Sequence, residues 1–273
     1  MSTPFDPQDL SFNPPGPIWL DVDFLREALR SARRGAAADL SGTRYEHLRV
    51  LLEDETLWGD FCSLACAFAR ADIPTDVVDV VAIGRMTALA KPDGGVRGIG
   101  TGCAFRRLVC KAFARQFADV FADETAPFQF ALQTKAGADA LAHTLRYLAD
   151  ANENTVIVSM DGIGAFDHAK RSEFLRKLRV RPRLQQLLPL VRTFYARAST
   201  YLWTDAVGHI HTIFQGEGGE QGDALMPALY ALGQHDALEE ASANLQEGEQ
   251  VFVFWMICIF PQLPKEWRQP PTL

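Results

Sequence analysis

The chain has 273 residues, of which 48% are hydrophobic, and a formal net charge of −7. This size predicts one large domain or two ordinary ones, and the acidic balance lacks the general basic character that attracts nucleic acid. The five cysteines lack the spacing of zinc ligands, and their odd number fits a reducing compartment.

The first 40 residues are predicted to form a leader and one helix. The segment MSTPFDPQDLSFNPPGP is rich in proline and lacks the features of a signal peptide, so we expect it to be irregular. Residues 21–34 have helical spacing. Residues 43–52 open with a capping-box pattern from Thr43 to Glu46, and a further helix is predicted over residues 57–71.

The next segment is predicted to contain a hairpin followed by a long helix. Residues 77–89 favour a short helix and then a strand. KPDGG at residues 91–95 has the composition of a turn, with residues 96–99 as the returning strand. Residues 103–122 have the spacing of a long amphipathic helix.

The second half mixes helices with strands, so the predicted fold class is α+β. A buried strand is predicted over residues 155–160, and paired strands over residues 198–203 and 209–214. Further helices are predicted over residues 136–150, 171–178, 184–197 and 225–243.

The segment TVIVSMDGIGAFDH ends a predicted strand at Asp161, with Phe166 and Asp167 five and six residues later. A carboxylate at a strand end can hold Mg²⁺ rigidly, and phosphoryl transfer uses such a cation. An ordinary turn aspartate is the alternative, because aspartate is frequent in turns.

The segment GEGGEQGD at residues 216–223 is a glycine-rich loop that runs into a helix. Glycines let a ligand approach the backbone closely. The GK[ST] ending of a phosphate-binding P-loop is absent, so an ordinary flexible loop before a helix is the alternative.

The apolar run VFVFWMICIF lies near the end of the sequence. It is about half the length of the roughly 20 residues that a membrane-spanning helix needs, so a membrane anchor is not expected. Two interpretations are left open: a buried strand, or a segment that is foreign to the sequence before it.

Positive charge is concentrated in two segments. Residues 81–117 contain seven Lys or Arg against one Asp, and residues 168–200 contain nine against one Glu. Each segment is either a basic face for nucleic acid or an ordinary solvated helix face.

Four stretches, taken in order, resemble the reverse transcriptase domain of non-LTR retrotransposons. They are LAKPDGGVRGIG with FRRLVCKAFARQF, APFQFALQTKAGADALAHTL, VIVSMDGIGAFDHAKRSEFLRKL and FQGEGGEQGDALMPALYALG. The resemblance implies the fingers and palm of a right-hand polymerase with the thumb missing. It assigns residues 41–150 to the fingers, residues 151–254 to the palm, and residues 255–273 to a tail.

The resemblance also implies roles for individual residues. Asp161 matches a catalytic metal ligand, with the Gly162 carbonyl beside it, and Mg²⁺ is the expected cofactor. Phe166 matches the residue that excludes a ribose 2′-hydroxyl. The remaining matches are Lys91 and Arg97 for the incoming dNTP, Gln221, Gly222 and Asp223 for nucleotide support, and Arg106, Arg107, Lys111 and Arg115 for template phosphates. The expected partners are an RNA template, a DNA primer and a dNTP, with no membrane.

Several positions depart from the family pattern. Gly98 and Ala224 stand where proline is usual, Ala131 where glycine is usual, and Met226 where serine is usual. We interpret these as tolerable loop changes.

The largest departure is that the two adjacent aspartates of the third palm motif are absent. The motif should lie in VFVFWMICIF, which contains no Asp, and none follows. Back-translation of Phe254 to Ile259 gives TTY-TGG-ATG-ATH-TGY-ATH, and the neighbouring frame reads Leu-Asp-Asp-Leu/Met-Tyr/His. We therefore hypothesise that the sequence from Trp255 onward is out of frame; a real apolar strand is the alternative.

The missing aspartates predict that the chain as written is inactive, because a two-metal site needs several carboxylates. Its uncharged WMICIF segment is also expected to be exposed and prone to aggregation. A non-catalytic nucleic-acid-binding remnant is the second hypothesis. A Mg²⁺-dependent phosphohydrolase is the third, although the second acidic cluster that it requires is not found.

Overall fold

The computed structural model describes residues 4–92, 94–132, 134–152, 155–162, 164–220, 222–254 and 257–261. The helices of this part of the chain are α1 (Pro7–Ser11), α2 (Val22–Arg30), α3 (Tyr45–Arg49), α4 (Glu55–Ala69), α5 (Thr75–Val81), α6 (Ala104–Gln116), α7 (Ala118–Thr125), α8 (Gly137–Ala151), α9 (Ala165–His168), α10 (Arg171–Val180), α11 (Leu188–Tyr195) and α12 (Met226–Ala243). The strands are β1 (Ile83–Ala90), β2 (Val96–Thr101), β3 (Ile157–Asp161), β4 (Ser199–Thr204), β5 (Ile210–Gln215), β6 (Phe252–Phe254) and β7 (Ile257–Pro261). The fold is mixed α and β, as predicted.

The chain divides into two compact units. The first comprises residues 1–117 and 166–226, and the second comprises residues 118–165 and 227–273. No helix in the described ranges is both long and apolar enough to cross a membrane.

The first unit contains a four-stranded sheet in the order β2-β1-β4-β5. β1 pairs with β2 and β4 pairs with β5 in antiparallel hairpins, while β1 and β4 are parallel. Both hairpins were predicted, and both are confirmed. The turn compositions explain this, because glycine and aspartate favour tight reversals between strands.

Helices of the first unit bury their apolar faces against one another. Leu25 and Leu29 of α2 and Leu108 and Phe113 of α6 are fully buried. Phe68 of α4 stacks on Phe194 of α11, with ring centroids 5.7 Å apart. These contacts form the hydrophobic core that supports the sheet.

The leader is ordered, which corrects the prediction that it is irregular. It contains α1, and the buried side chain of Asp9 forms an ion pair with Arg179 of α10 at 2.6 Å. Arg192 of α11 donates to the backbone oxygen of Phe12 at 2.7 Å. The polar partners lie more than 160 residues away in the sequence, so local composition did not reveal them.

Two helix boundaries also differ from the predictions. The predicted helix over residues 103–122 is divided into α6 and α7 at Phe117, where the first unit ends. α3 is capped at Arg44, whose backbone N–H donates to Nδ1 of His47, and not at Thr43. The backbone N–H of Thr43 donates to Asp39 instead.

The second unit contains a three-stranded antiparallel sheet in the order β3-β7-β6. Phe128, Leu238, Val251 and Val253 form its buried cluster, and Cys258 and Phe260 pack against it. β3 is largely exposed, with Met160 45% accessible, which corrects the prediction of a buried strand.

The terminal apolar run forms the β6–β7 hairpin. β7 lies in the middle of the sheet and pairs on both sides, and its residues are half-buried or buried. The expectation that this segment is exposed is therefore wrong for the described residues 257–261; its tendency to aggregate stays a prediction. Trp255 and Met256 lie outside the described residues.

Candidate functional site

Asp161 lies at the end of β3 with an exposed side chain, in the position that the sequence predicted. It pairs across the sheet with Ile257 of β7. Tyr230 of α12 lies close to it: burial raises the pKa of Tyr230, and the neighbouring Cys258 and Asp161 raise it further. Gly162 follows as an exposed residue, so the carboxylate stands at the open end of a strand.

The carboxylates near Asp161 do not fit the Mg²⁺ site that the resemblance implies. In the described ranges, no group of three or more His, Cys, Asp or Glu side chains could hold a metal ion. Two-metal sites need several such ligands around cations that are about 4 Å apart. A complete metal site therefore cannot be built from these residues.

In the first unit, the turn after the DGIGAF segment is hydrogen-bonded to the glycine-rich loop. The backbone N–H of Gly218 donates to the oxygen of Ala169, and that of Gly219 donates to the oxygen of Phe166, both at 2.8 Å. Gly218 has a φ of +77°, and an added Cβ would lie 2.6 Å from the oxygen of Phe166. Only glycine meets both conditions without strain.

Arg106 is buried, which corrects the prediction that it faces template phosphates. Its Nη1 lies 2.9 Å from Oε1 of Glu220, and its Nη2 lies 3.6 Å from Oδ2 of Asp223. Burial acts to lower the pKa of Arg106, but Glu220, Tyr195 and Asp223 outweigh it and raise the pKa. The guanidinium is therefore a permanent cation inside the protein.

The same network accounts for Asp223, which is buried as well. Its Oδ2 accepts a hydrogen bond from the hydroxyl of Tyr195 at 2.7 Å, and its Oδ1 accepts one from the backbone of Leu225 at 2.9 Å. Burial raises the pKa of Tyr195 well above its ordinary value, and Asp223 adds to this effect. The phenol is therefore a neutral donor.

Gly222 remains exposed beside this network. A Cβ on Gly222 would lie 3.0 Å from the oxygen of Gly100 on β2. Its neighbour Gln221 lies outside the described residues. The loop therefore runs close to the C-terminal end of β2.

Lys91 and Arg97 come together on that hairpin. Arg97 pairs with Leu89 across the strands, and the backbone N–H of Lys91 donates to the oxygen of Gly95 at 2.8 Å. With Leu89, Ala90 and Pro92 they line an open cleft of about 520 Å³. Both side chains are exposed, so the cleft presents two cations to solvent.

The other three predicted template residues are half-exposed on α6. Arg107 donates to the oxygen of Ala37 and lies over the ring of Tyr45. Burial lowers the pKa of Lys111, and the neighbouring Arg115 and Arg49 contribute. Arg115 pairs with Glu27 at 3.6 Å. Arg107 and Arg115 are thus already engaged with the protein.

The second basic segment is used largely within the protein. Arg171 and Lys177 are buried, Arg179 pairs with Asp9, and Arg197 pairs with Asp79 at 2.6 Å. The segment therefore presents much less free positive charge than its sequence indicates.

Three further residues, which the sequence motifs do not single out, shape the loop. Arg171, Tyr195 and Glu220 are buried around it. Glu220 lies within the glycine-rich segment and was visible as an acid among glycines, but Arg171 and Tyr195 carry no local signal.

The structure is similar to telomerases. Apo telomerase from Candida tropicalis aligns with a TM-score of 0.49 and 13% identity, over 69% of this chain and 40% of that one. A form of that protein truncated from its C-terminal domain aligns with a TM-score of 0.47 and 11% identity, over 68% of this chain and 45% of that one. Telomerase from Candida albicans in complex with a TWJ fragment of telomeric RNA aligns with a TM-score of 0.46 and 9% identity, over 71% of this chain and 40% of that one.

The chain thus spans less than half the length of each of these telomerases. No protein-family model and no curated protein matches the sequence. Similarity at this level assigns neither an activity nor a partner to this chain.

Proposed function

We propose that the chain is a reverse-transcriptase-type domain, derived from a retroelement, that binds nucleotide and nucleic acid. One observation carries the proposal: the two most specific sequence motifs meet in the first unit, where Gly218 and Gly219 bond to Ala169 and Phe166. The motifs lie about fifty residues apart in the sequence. Their meeting supports a common role rather than two unrelated turns.

The nucleotide would bind through the exposed cations of the β1–β2 hairpin. Arg97 supplies a planar fork that suits phosphate oxygens, and Lys91 supplies a compact charge. Phe166, half-buried beside the glycine-rich loop, would discriminate against a ribose 2′-hydroxyl. An RNA template and a DNA primer are the proposed partners.

Catalysis is the function that we propose this chain lacks. The described carboxylates do not suffice for the metal site. In the neighbouring reading frame, two aspartate codons fall at the connection between β6 and β7. That connection follows Phe254 and precedes Ile257, which pairs with Asp161. This geometry supports the hypothesis that the missing carboxylates were lost through a change of frame.

Equilibrium binding of a dNTP tests the proposal. We expect Lys91→Ala and Arg97→Ala each to raise the dissociation constant about tenfold, because a charged hydrogen bond contributes about 1.5 kcal/mol or more. Arg30→Ala, on the exposed side of α2, is the matched control and should change nothing. No primer should be extended by the chain as written. Equal affinity of all variants for the dNTP would reject the proposed nucleotide site.

A non-catalytic nucleic-acid-binding remnant is the second candidate, favoured by the incomplete carboxylate set. It predicts salt-dependent binding of nucleic acid and no binding of dNTP. The same titrations, repeated with a primer–template duplex, distinguish the two.

A further inference from the structure

Four acidic or basic side chains are buried together at the glycine-rich loop, and two of them come from the loop itself. They are Arg106, Arg171, Glu220 and Asp223, and each is at most 7% exposed. Two positive and two negative charges balance. We call this set the buried tetrad.

Arg171 fixes the first half of the loop. Its Nε donates to the oxygen of Gly218 at 2.7 Å, and its Nη2 donates to Oγ of Ser199 on β4 at 2.9 Å. Its backbone N–H donates to Oε2 of Glu217 at 3.0 Å. One residue thus ties two loop positions to the neighbouring sheet.

Arg106 and Tyr195 fix the second half. Arg106 reaches Glu220 and Asp223 from α6, while its guanidinium lies 4.0 Å from the ring centre of Phe194. Tyr195 donates to Asp223 from α11. The loop is therefore held from three helices and one strand, yet Gly222 stays exposed.

Such a network is a poor way to gain stability. Burying ionised groups carries a desolvation penalty, and apolar residues of similar volume often stabilise a protein equally well. The tetrad instead constrains the positions of the loop residues, because charged hydrogen bonds have defined lengths and directions. One loop conformation is therefore favoured over its alternatives.

We propose that Arg106 and Arg171 are positioning residues: they hold the loop over residues 216–223 in its ligand-binding conformation without touching the ligand. The proposal rests on the proposed function for the identity of the ligand. The rigidity of the loop, in contrast, is independent of the proposed function. The two can therefore be tested separately.

Hydrogen exchange of the full chain, without ligand, tests the rigidity. The variant Arg106→Met with Glu220→Met removes one buried cation and one buried anion, so the remaining charges stay balanced. Asp223 keeps its hydrogen bonds from Tyr195 and Leu225. We expect the amide of Asp223, which donates to the oxygen of residue 220, to exchange at least tenfold faster in this variant. The amides of Gly218 and Gly219 should do the same in Arg171→Met, with the other amides of the unit unchanged in both proteins. Arg106→Lys, which keeps the charge, should restore part of the protection.

Arg26→Met is the matched control, because Arg26 forms a solvent-accessible ion pair with Glu55; it should leave loop exchange unchanged. Unchanged exchange at Asp223 in the double variant, or at Gly218 and Gly219 in Arg171→Met, would overturn the proposal. Uniformly faster exchange across the unit would overturn it as well, because the tetrad would then be only structural.

Nucleotide titration of the same proteins links the rigidity to function. We expect the double variant to bind dNTP at least tenfold more weakly than the unmodified chain. If loop exchange rises but dNTP affinity is unchanged, the positioning role is rejected. If the unmodified chain binds no dNTP, the proposed function fails, while the exchange result still decides whether the loop is held.

Discussion

At the scale of single residues, two adjacent glycines fix the junction between the motifs. Gly218 has a positive φ and lies against the backbone of residues 166 and 167, while Gly219 lies against the side chain of Met226. Gly208, in the β4–β5 turn, has a φ of +90° but nothing within 4 Å of an added Cβ. Comparing Gly218 with Gly208 therefore separates the cost of a strained backbone conformation from the cost of steric overlap.

Gly218→Ala should therefore destabilise the protein more than Gly208→Ala. The left-handed conformation costs about 1 kcal/mol in either case, and overlap with fixed backbone adds about 1–3 kcal/mol at Gly218 alone. Free energies of unfolding in urea measure the difference. Equal losses in the two variants would show that the junction is loosely packed.

Asp39 is a second residue with a defined energetic role. Its buried carboxylate accepts hydrogen bonds from the backbone of Ala104 at 2.8 Å, Ser41 at 2.9 Å and Thr43 at 3.0 Å. Burial acts to raise the pKa of Asp39, but these bonds outweigh it, so the pKa lies below its ordinary value. The carboxylate thus holds the start of α6.

This shift predicts a pH-dependent stability. Because the pKa is lower in the folded state, the stabilisation is complete above the unfolded value of about 4 and is lost as pH falls through the folded value. Asp39→Asn should cost about 1 kcal/mol at neutral pH and nothing in strong acid. Denaturation curves across pH measure this, with the exposed Asp60→Asn on α4 as control; a pH-independent difference would contradict the assignment.

At the scale of elements, a buried ion pair contributes to the docking of α1, beside the hydrogen bond from Arg192 to Phe12. Asp9 is 1% exposed and faces Arg179, whose second partner among the described residues is Asp6 at 3.8 Å. Loss of Asp9 leaves the guanidinium poorly paired, and breaking a buried pair is costly.

Asp9→Ala should therefore release the segment before α2. A cost of about 2–3 kcal/mol, below that of a fully buried pair, would raise the population of the open form more than tenfold. Chymotrypsin cleavage at Phe5, Leu10 and Phe12 measures that population, and Asp23→Ala on the exposed face of α2 is the control. Unchanged cleavage would show that backbone contacts hold the segment.

The elements also show what the sequence could reveal. Both hairpins of the first sheet were predictable, because their turn residues act locally. The break between α6 and α7 was not, because the apolar spacing continues through Phe117 while the chain passes from one unit to the other. Arg106 was misassigned for a similar reason: a cation in a basic segment indicates a solvated face, whereas its anionic partners lie over 110 residues away.

At the scale of the whole molecule, the candidate site is only partly encoded in local patterns. The strand end at Asp161 and the glycine-rich loop followed from residue order. The first motif spans both units, since the division falls between Ala165 and Phe166. The buried tetrad depends on contacts between distant segments, which no single motif displays.

We propose that this chain has the scaffold of a reverse-transcriptase-type polymerase, with its catalytic carboxylates lost to a change of frame. The sequence of the transcript across the codons for residues 251–267, compared with the genomic locus, tests it most directly. We predict one additional base or a splice junction that restores Leu-Asp-Asp after position 254. Transcripts from two independent gene copies that both encode Trp-Met-Ile-Cys would contradict the claim.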